Sequence, residues 1–138
     1  MKPYYSKKVI EHFINPRNFG DIKKADGIGK VGNPRCGDIM KLYIKVGKKG
    51  GKEFIKDIKF HTLGCAAAIA TSDMICDLVK DKTLKEALKI GYKDVVNELG
   101  YLPAIKIHCS FLAQEALKAA ILDYDKKKSK NRSKSKRK

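Results

Sequence analysis

Three cysteines of this chain stand close to residues that can assist metal binding. Cys36 comes two positions before Asp38, Cys65 follows a glycine, and Cys109 follows His108. Thiolate sulfur and imidazole nitrogen are the ligands that soft and borderline transition metals select. The sequence contains no C-x-x-C pair, and long stretches separate the cysteines, so the compact zinc-finger arrangement is excluded. Only a folded domain would bring these ligands to one site.

Each cysteine is predicted at the end of a structural element or in a turn. Cys65 lies where a strand-like pattern gives way to an alanine-rich helical one, and Cys109 lies at the start of the last predicted helix. Exposed N–H groups and the helix dipole stabilise a thiolate at such positions. Cys36 lies in a glycine-rich turn that lets backbone approach a ligand. We therefore predict one shared site of three thiols and the His108 imidazole, with the Asp38 carboxylate nearby.

The elements that must position these ligands are those of a small α+β domain. Alternating apolar residues predict strands around 39–46 and 57–62, and the glycine-rich segment 47–51 predicts a hairpin between them. Strand propensity at 28–31 adds an edge strand, giving an antiparallel sheet of about three strands. Five predicted helices cover this sheet, and they begin near Ser6, Cys65, Thr83, Lys93 and His108.

The formal net charge of +16 is concentrated at the C-terminal end. Residues 126–138 hold nine Lys or Arg and no acid, so residues 1–125 carry +7. Because the basic segment contains no apolar residue, we expect one domain (1–125) followed by a disordered basic tail (126–138). The charge density supports a weak, salt-sensitive contact of the tail with a polyanion. The alternative is a solubilising extension, and no nucleic-acid-binding module is evident elsewhere.

The cysteine content predicts a reducing compartment. A chain of 138 residues buries enough surface to fold without disulfides, and its first residues do not resemble a secretion signal. The longest apolar stretch, residues 65–70, is far shorter than the roughly 20 residues that span a bilayer. We therefore expect a cytoplasmic protein that does not insert into a membrane.

Four separated segments also resemble one known family, and they occur in the family's order. From about Tyr5 to Tyr124 the chain is identified as a member of the IscU/NifU-type iron-sulfur cluster scaffold proteins. The segments are Asn15-Pro16-Arg17-Asn18, Gly32-Asn33-Pro34-Arg35-Cys36-Gly37-Asp38, Gly64-Cys65 with the alanines that follow, and His108-Cys109-Ser110 with Ala113-Gln114-Glu115-Ala116-Leu117.

The resemblance implies a helix-covered antiparallel sheet with a cluster site at one exposed end. It implies that Cys36, Cys65 and Cys109 supply thiolate ligands, with His108 and Asp38 as alternate or tuning groups. It also implies a carrier rather than an enzyme. Such a scaffold receives sulfur from a cysteine desulfurase and iron from an iron donor, assembles a 2Fe-2S or 4Fe-4S cluster, and passes it to recipient apoproteins.

Two residue roles follow from the chemistry of cluster transfer. A carboxylate is a harder and more weakly held ligand than a thiolate, so Asp38 is predicted to make the cluster easier to release. Sulfur delivery needs a mobile, exposed thiolate that can attack a persulfide. For that role we favour Cys109 first and Cys36 second.

The segment Leu102-Pro103-Ala104-Ile105-Lys106 resembles the family's Leu-Pro-Pro-Val-Lys motif, which a specialised Hsp70 recognises. Leu102, Pro103 and Lys106 are therefore candidate partner-binding residues. Replacement of the second proline by Ala104 weakens the preference for extended backbone. A plain loop with a solvated lysine is the alternative, and both interpretations stay open.

Two other functions fit part of the same residue set. A structural or storage zinc protein could use Cys36, Cys65, His108 and Cys109 as a tetrahedral shell, and zinc could occupy the site of a scaffold as well. A cysteine-dependent enzyme could use Cys109 and His108 as nucleophile and base. The enzyme is disfavoured because side chains of adjacent residues seldom point at each other. Cys76 is predicted to be a core residue, and His12 and His61 to be structural or solvent-facing.

Overall fold

The computed structural model describes residues 3–33 and 38–136. It also describes their side chains, except those of Asn33, Asp38 and residues 129–136. A single helix precedes a three-stranded sheet, and four helices and one 3₁₀ turn follow it. The helices are α1 (Lys7–Ile14), α2 (Ala66–Val79), α3 (Leu84–Ala87), α4 (Tyr92–Leu99) and α5 (Ile107–Lys136), and the 3₁₀ turn is Ala104–Lys106.

The sheet consists of β1 (Gly27–Asn33), β2 (Asp38–Lys49) and β3 (Lys52–Leu63), paired antiparallel in the order β1-β2-β3. Gly50 and Gly51 both have positive φ, +59° and +77°. These angles allow the tight two-residue turn between β2 and β3, which glycine adopts without strain. The expected α+β fold with about three antiparallel strands is confirmed.

The core lies between one face of the sheet and the helices α2 and α5. Alternate residues of β2 are fully buried, as are the inward residues of β3, because side chains alternate between the two faces of a strand. Helix α2 packs on β3, and α5 packs on β1 and β2. The buried strand residues are Met40, Leu42, Ile44, Ile55, Ile58 and Phe60.

Helix α5 lies unusually close to β1 because β1 has glycines at the contact. A Cβ atom on Gly29 would lie 2.1 Å from the carbonyl oxygen of Ala116, and one on Gly27 would lie 2.2 Å from that of Ala120. Both distances are far below any permitted van der Waals contact, so the helix backbone rests directly on the strand backbone. This contact fixes the position of α5 relative to the sheet.

Short segments cover the outer edge of β3. The Phe60 amide donates to the carbonyl oxygen of Asn18, and its own carbonyl accepts from the Gly20 amide. Further along the edge, the Ile55 amide donates to the carbonyl of Lys82 at 2.9 Å. On β1, the Ile28 amide donates to Oδ2 of Asp123 in α5 at 2.9 Å. Both edge strands therefore have backbone groups that other parts of the chain satisfy.

Helix α1 begins directly after its predicted cap, Ser6, and part of its apolar side is exposed to solvent. Ser6 Oγ accepts from the Val9 amide and donates to the carbonyl of Leu99. Val9 is fully buried, whereas Ile10 and Phe13 are 38% and 40% exposed. This exposure arises because α1 packs mainly against one neighbour, α2.

Helix α5 continues well beyond residue 125, where the sequence predicts that the domain ends. It runs to Lys136, through most of the segment for which the sequence predicts a disordered tail. Lys127 Nζ lies 3.0 Å from Asp123 Oδ2 one turn earlier, and the Lys128 ammonium pairs with Glu53 of β3. Lysine is also a good helix former. Despite this length, no helix in the described part of the chain is apolar enough over a sufficient length to cross a membrane.

Candidate metal centre

Cys65 lies at the junction between β3 and α2. It is the residue before the first helical position of α2 and has extended backbone angles, φ −80° and ψ 176°. Its side chain makes no capping hydrogen bond to α2 and is half-buried. The thiol therefore lies at the positive end of the helix dipole.

Cys109 faces Cys65 from the first turn of α5. The two Sγ atoms are 3.8 Å apart. Cys109 is fully buried, and Thr71 Oγ1 of α2 donates to its carbonyl oxygen at 3.3 Å. The pairing of α2 with α5 therefore brings together two sulfurs that are remote in the sequence.

His108 adds a nitrogen to the two sulfurs. Its Nδ1 lies 2.8 Å from the carbonyl oxygen of Ile105, and its Nε2 lies 3.6 Å from Cys109 Sγ. Since a carbonyl only accepts, Nδ1 donates to it, and Nε2 is the ring nitrogen that faces Cys109 Sγ. The expectation that adjacent His108 and Cys109 point apart is wrong, because the first turn of α5 places both side chains at one end of the molecule.

The predicted ligands Asp38 and Cys36 lie in or next to the undescribed segment. Asp38 is the first residue of β2, and the next residue, Ile39, pairs with Leu63 at the end of β3. The start of β2 therefore lies at the same end of the sheet as Cys65. Cys36 falls within 34–37, outside the described residues, so its role as a ligand stays a prediction.

A lysine and a tyrosine lie close enough to this site to affect its electrostatics. The negative charge of the Cys65 thiolate raises the pKa of Lys106, with smaller contributions from Tyr5 and Cys109. Burial raises the pKa of Tyr5, and the nearby Cys65 raises it further. Tyr5 is not among the predicted site residues because it precedes the first helix and belongs to no chemical motif.

The segment before α5 is a turn rather than an extended motif. The Lys106 amide donates to the carbonyl of Pro103 at 2.8 Å and closes the 3₁₀ turn. Leu102 is 8% exposed and belongs to the core, so it cannot present its side chain to a partner as predicted. Ile105 is 71% exposed and is the apolar side chain that this segment offers to solvent.

The remaining thiol and one remaining histidine have the structural roles that the sequence predicts. Cys76 is fully buried in α2, and burial raises its pKa well above the ordinary range of a thiol. The ring of His61 contacts that of Phe19 edge-on at 5.0 Å between centroids.

A second polar cluster joins α1 to α2. His12 Nδ1 lies 2.5 Å from Oδ2 of the fully buried Asp73 and 4.0 Å from Oδ2 of Asp77. The other oxygen of Asp73 accepts from the backbone and side-chain N–H groups of Asn18. These three ligand-type residues lie close enough to hold a cation, but their polar atoms are already engaged with one another and with Asn18. We interpret the cluster as an anchor for α1.

The geometry of the thiol pair suits a shared metal. Two thiolates on one tetrahedral metal, with metal–sulfur bonds of about 2.3 Å, lie about 3.8 Å apart, which matches the observed Sγ–Sγ separation. His108 Nε2 supplies a third donor on the same side. Three exposed apolar side chains, Ile39, Leu63 and Ile105, lie in the segments that frame this end of the molecule. These described residues are therefore a candidate site whose donor types suit a soft or borderline metal.

Comparison with known proteins identifies the family of this chain. Residues 4–131 match the family described as the NifU-like N-terminal domain. The chain belongs to this family. The resemblance inferred from the four sequence segments is thereby confirmed.

Relatives named as iron-sulfur cluster assembly scaffold proteins match most of the chain. Iron-sulfur cluster assembly scaffold protein IscU 1 of Archaeoglobus fulgidus is 57% identical over 126 residues, covering 91% of this chain and 80% of the relative. The scaffold protein IscU of Aquifex aeolicus is 48% identical over 120 residues, covering 87% of this chain and 75% of the relative.

A solved structure supports the fold. It is a putative iron-sulfur cluster assembly scaffold protein for the SUF system from Fervidobacterium islandicum, with a TM-score of 0.68 and 23% identity. The superposition covers 85% of this chain and 96% of that protein. At this identity the likeness concerns the fold alone.

Proposed function

We propose that this member of the NifU-like N-terminal domain family is a scaffold on which an iron-sulfur cluster is assembled and from which it is transferred to apoproteins. The observation that carries the proposal is the convergence of Cys65, Cys109 and His108 at one end of the sheet. The names of the curated relatives support the same role. The cluster is cargo, so the chain acts as a carrier and not as an enzyme.

The proposed ligands are the three thiolates of Cys36, Cys65 and Cys109, with Asp38 and His108 as exchangeable groups. A mixed donor set binds a cluster less tightly than four thiolates do, because carboxylate oxygen is a harder ligand for iron. We assign a 2Fe-2S cluster as the first product. A 4Fe-4S cluster is the alternative, and the shape of the visible spectrum after reconstitution distinguishes the two.

The proposed partners are a cysteine desulfurase that supplies sulfur, an iron donor and the recipient apoproteins. The burial of Cys109 argues against the first choice of sulfur acceptor made from the sequence, since a buried thiol cannot reach a persulfide on another protein. The half-buried Cys65 is the better candidate. A dedicated Hsp70 is left out of the proposal, because residues 104–106 form a 3₁₀ turn and Leu102 is buried. A cytoplasmic location stays a prediction.

Two alternatives are less well supported. Zinc can bind the same sulfur and nitrogen donors, but the relatives that match most of the chain are named as cluster scaffolds. A cysteine-dependent enzyme gains some support from the 3.6 Å contact between His108 and Cys109. However, Cys109 is fully buried, and a nucleophile must be accessible to its substrate.

Anaerobic reconstitution tests the scaffold function. The protein is first stripped of metal with a chelator and then incubated with ferrous iron, cysteine and a cysteine desulfurase. We expect visible iron-sulfur absorption and acid-labile sulfide that elute with the protein. Cys65→Ser and Cys109→Ser should lose both signals, whereas the matched buried variant Cys76→Ser should keep them. A chain that gains neither signal, although its zinc has been fully removed, would support the zinc-binding alternative.

A further inference from the structure

The two described thiols of the candidate site differ in accessibility although they are close together. Cys65 is half-buried at a strand-to-helix junction, and Cys109 is fully buried within α5. Their sulfurs lie 3.8 Å apart. A disulfide bond is about 2.0 Å long, so the two sulfurs need to approach by only about 1.8 Å to form one. Cys65 is thus the more accessible of the two thiols to an external sulfur donor, and Cys109 lies where it can react with Cys65.

Sulfur delivery as a persulfide leaves a chemical problem that this pair can solve. The outer sulfur of a persulfide has the oxidation state of elemental sulfur, and a cluster requires sulfide, which is two electrons more reduced. Two thiols supply those electrons when they are oxidised to a disulfide. The pair lies where the electrons are needed, at the proposed site of assembly.

We infer that Cys109 is a resolving thiol that releases sulfide from a persulfide formed on Cys65; this inference rests on the proposed scaffold function. The Cys109 sulfur attacks Sγ of Cys65, the bond from that Sγ to the outer sulfur breaks, and a disulfide between Cys65 and Cys109 forms. The outer sulfur leaves with the electron pair of the broken bond and with the proton of the Cys109 thiol, as HS⁻. An external dithiol reductant then restores both thiols by disulfide exchange.

The position of Cys76 provides a matched control. It is also a fully buried thiol, but it lies within α2 among core residues, and burial raises its pKa. Burial alone therefore does not make a resolving thiol. If the contact with Cys65 is what matters, replacing Cys109 should abolish release and replacing Cys76 should not.

The test uses the full chain with Cys36 and Cys76 both replaced by serine, so that Cys65 and Cys109 are its remaining cysteines. The metal-free protein is loaded briefly and anaerobically with sodium tetrasulfide, desalted in the cold and then warmed. We expect one sulfide released for each sulfur loaded, at a rate independent of protein concentration. Peptide mapping should find a disulfide between Cys65 and Cys109. Adding Cys109→Ser, or Cys109→Ala as a second variant, should abolish release and leave the extra sulfur on Cys65.

Three results would overturn the inference. They are release at the parent rate after replacement of Cys109, a release rate that rises with protein concentration, and transfer of the extra sulfur to Cys109 without disulfide formation. Circular dichroism establishes that each variant is folded before loading. The scaffold function is tested separately by supplying ferrous iron and inorganic sulfide directly. A chain that builds a cluster from sulfide but fails the release test loses only the resolving role of Cys109.

Discussion

Asp38 begins β2 at the end of the sheet where Cys65 lies, and its proposed role is to make the cluster easy to release. Asp38→Ala removes the carboxylate, so the remaining sulfur and nitrogen ligands should hold the cluster longer. The measurement is the half-time of cluster transfer to a standard apoprotein, followed by the change in visible circular dichroism. We expect a half-time about tenfold longer, which corresponds to about 1.4 kcal/mol of added barrier.

Asp21→Ala is the control for this experiment, because Asp21 is an exposed carboxylate in the loop before β1. It should transfer its cluster at the rate of the parent chain. If Asp38→Ala transfers as fast as the parent or faster, the carboxylate does not control release.

For single residues, the sequence predicts which side chains could bind a metal better than it predicts how buried each side chain is. The types and spacing of Cys65, His108 and Cys109 were sufficient to predict a shared site. Sequence patterns could not show that Cys109 is buried or that Tyr5 lies close to Cys65, because both facts depend on how α1, α2 and α5 pack against one another.

At the scale of elements, the contact between α5 and β1 depends on the absence of side chains at two positions. Gly29→Ala would place a methyl group 2.1 Å from the backbone oxygen of Ala116, and backbone cannot move aside as a flexible side chain can. We expect a loss of about 3 kcal/mol in the free energy of unfolding. Urea unfolding followed by far-ultraviolet circular dichroism measures it.

The matched variant is Gly91→Ala, for which the nearest atom to a new Cβ is Gln114 Oε1 at 3.7 Å. It should change the free energy of unfolding by less than about 1 kcal/mol. Equal losses for the two variants would mean that the close helix–strand contact is not what Gly29 provides.

The anchor between α1 and α2 gives a second prediction at this scale. Asp73→Ala removes the buried carboxylate that accepts from Asn18 and pairs with His12. The loss should be about 3 kcal/mol, because buried polar groups lose their partners. Thermal and urea unfolding measure it.

Asp77→Ala is the comparison for this anchor, since Asp77 is largely exposed and accepts one hydrogen bond from Asn18. It should cost about 1 kcal/mol or less. A loss for Asp73→Ala as small as that for Asp77→Ala would contradict the anchoring role.

Local signals predicted most of the element boundaries. Ser6 and Thr83 cap the first turns of α1 and α3, at positions where the sequence predicts that helices begin. Each depends on residues that are neighbours in the chain, which is why a sequence pattern is sufficient. The length of α5 was missed because the pairing of Lys128 with Glu53 connects residues that are far apart in the sequence.

At the scale of the whole molecule, the basic C-terminal segment holds nine of the 31 Lys and Arg residues. Deleting residues 126–138 lowers the formal net charge from +16 to +7, so retention on a heparin column should fall and depend less steeply on salt. Cluster assembly should be unaffected, because the candidate ligands precede this segment. The salt concentration at elution measures the change.

A full-length variant with the basic residues of 126–138 changed to glutamine is the control for chain length. It should elute as the truncated protein does. Unchanged retention after truncation would show that the domain itself carries the attraction to polyanions, and that this segment serves another purpose.

The covered edges of the sheet have a consequence for how copies of this protein meet. An uncovered edge strand offers its backbone to another chain, which is a common start of fibril growth. Here the outer side of β3 is occupied by the chain around Asn18 and Lys82, and Asp123 caps an amide of β1. A carrier must touch several different proteins through an accessible end. Its contacts there should depend on side chains, so a transient contact should not become a permanent intermolecular β-sheet.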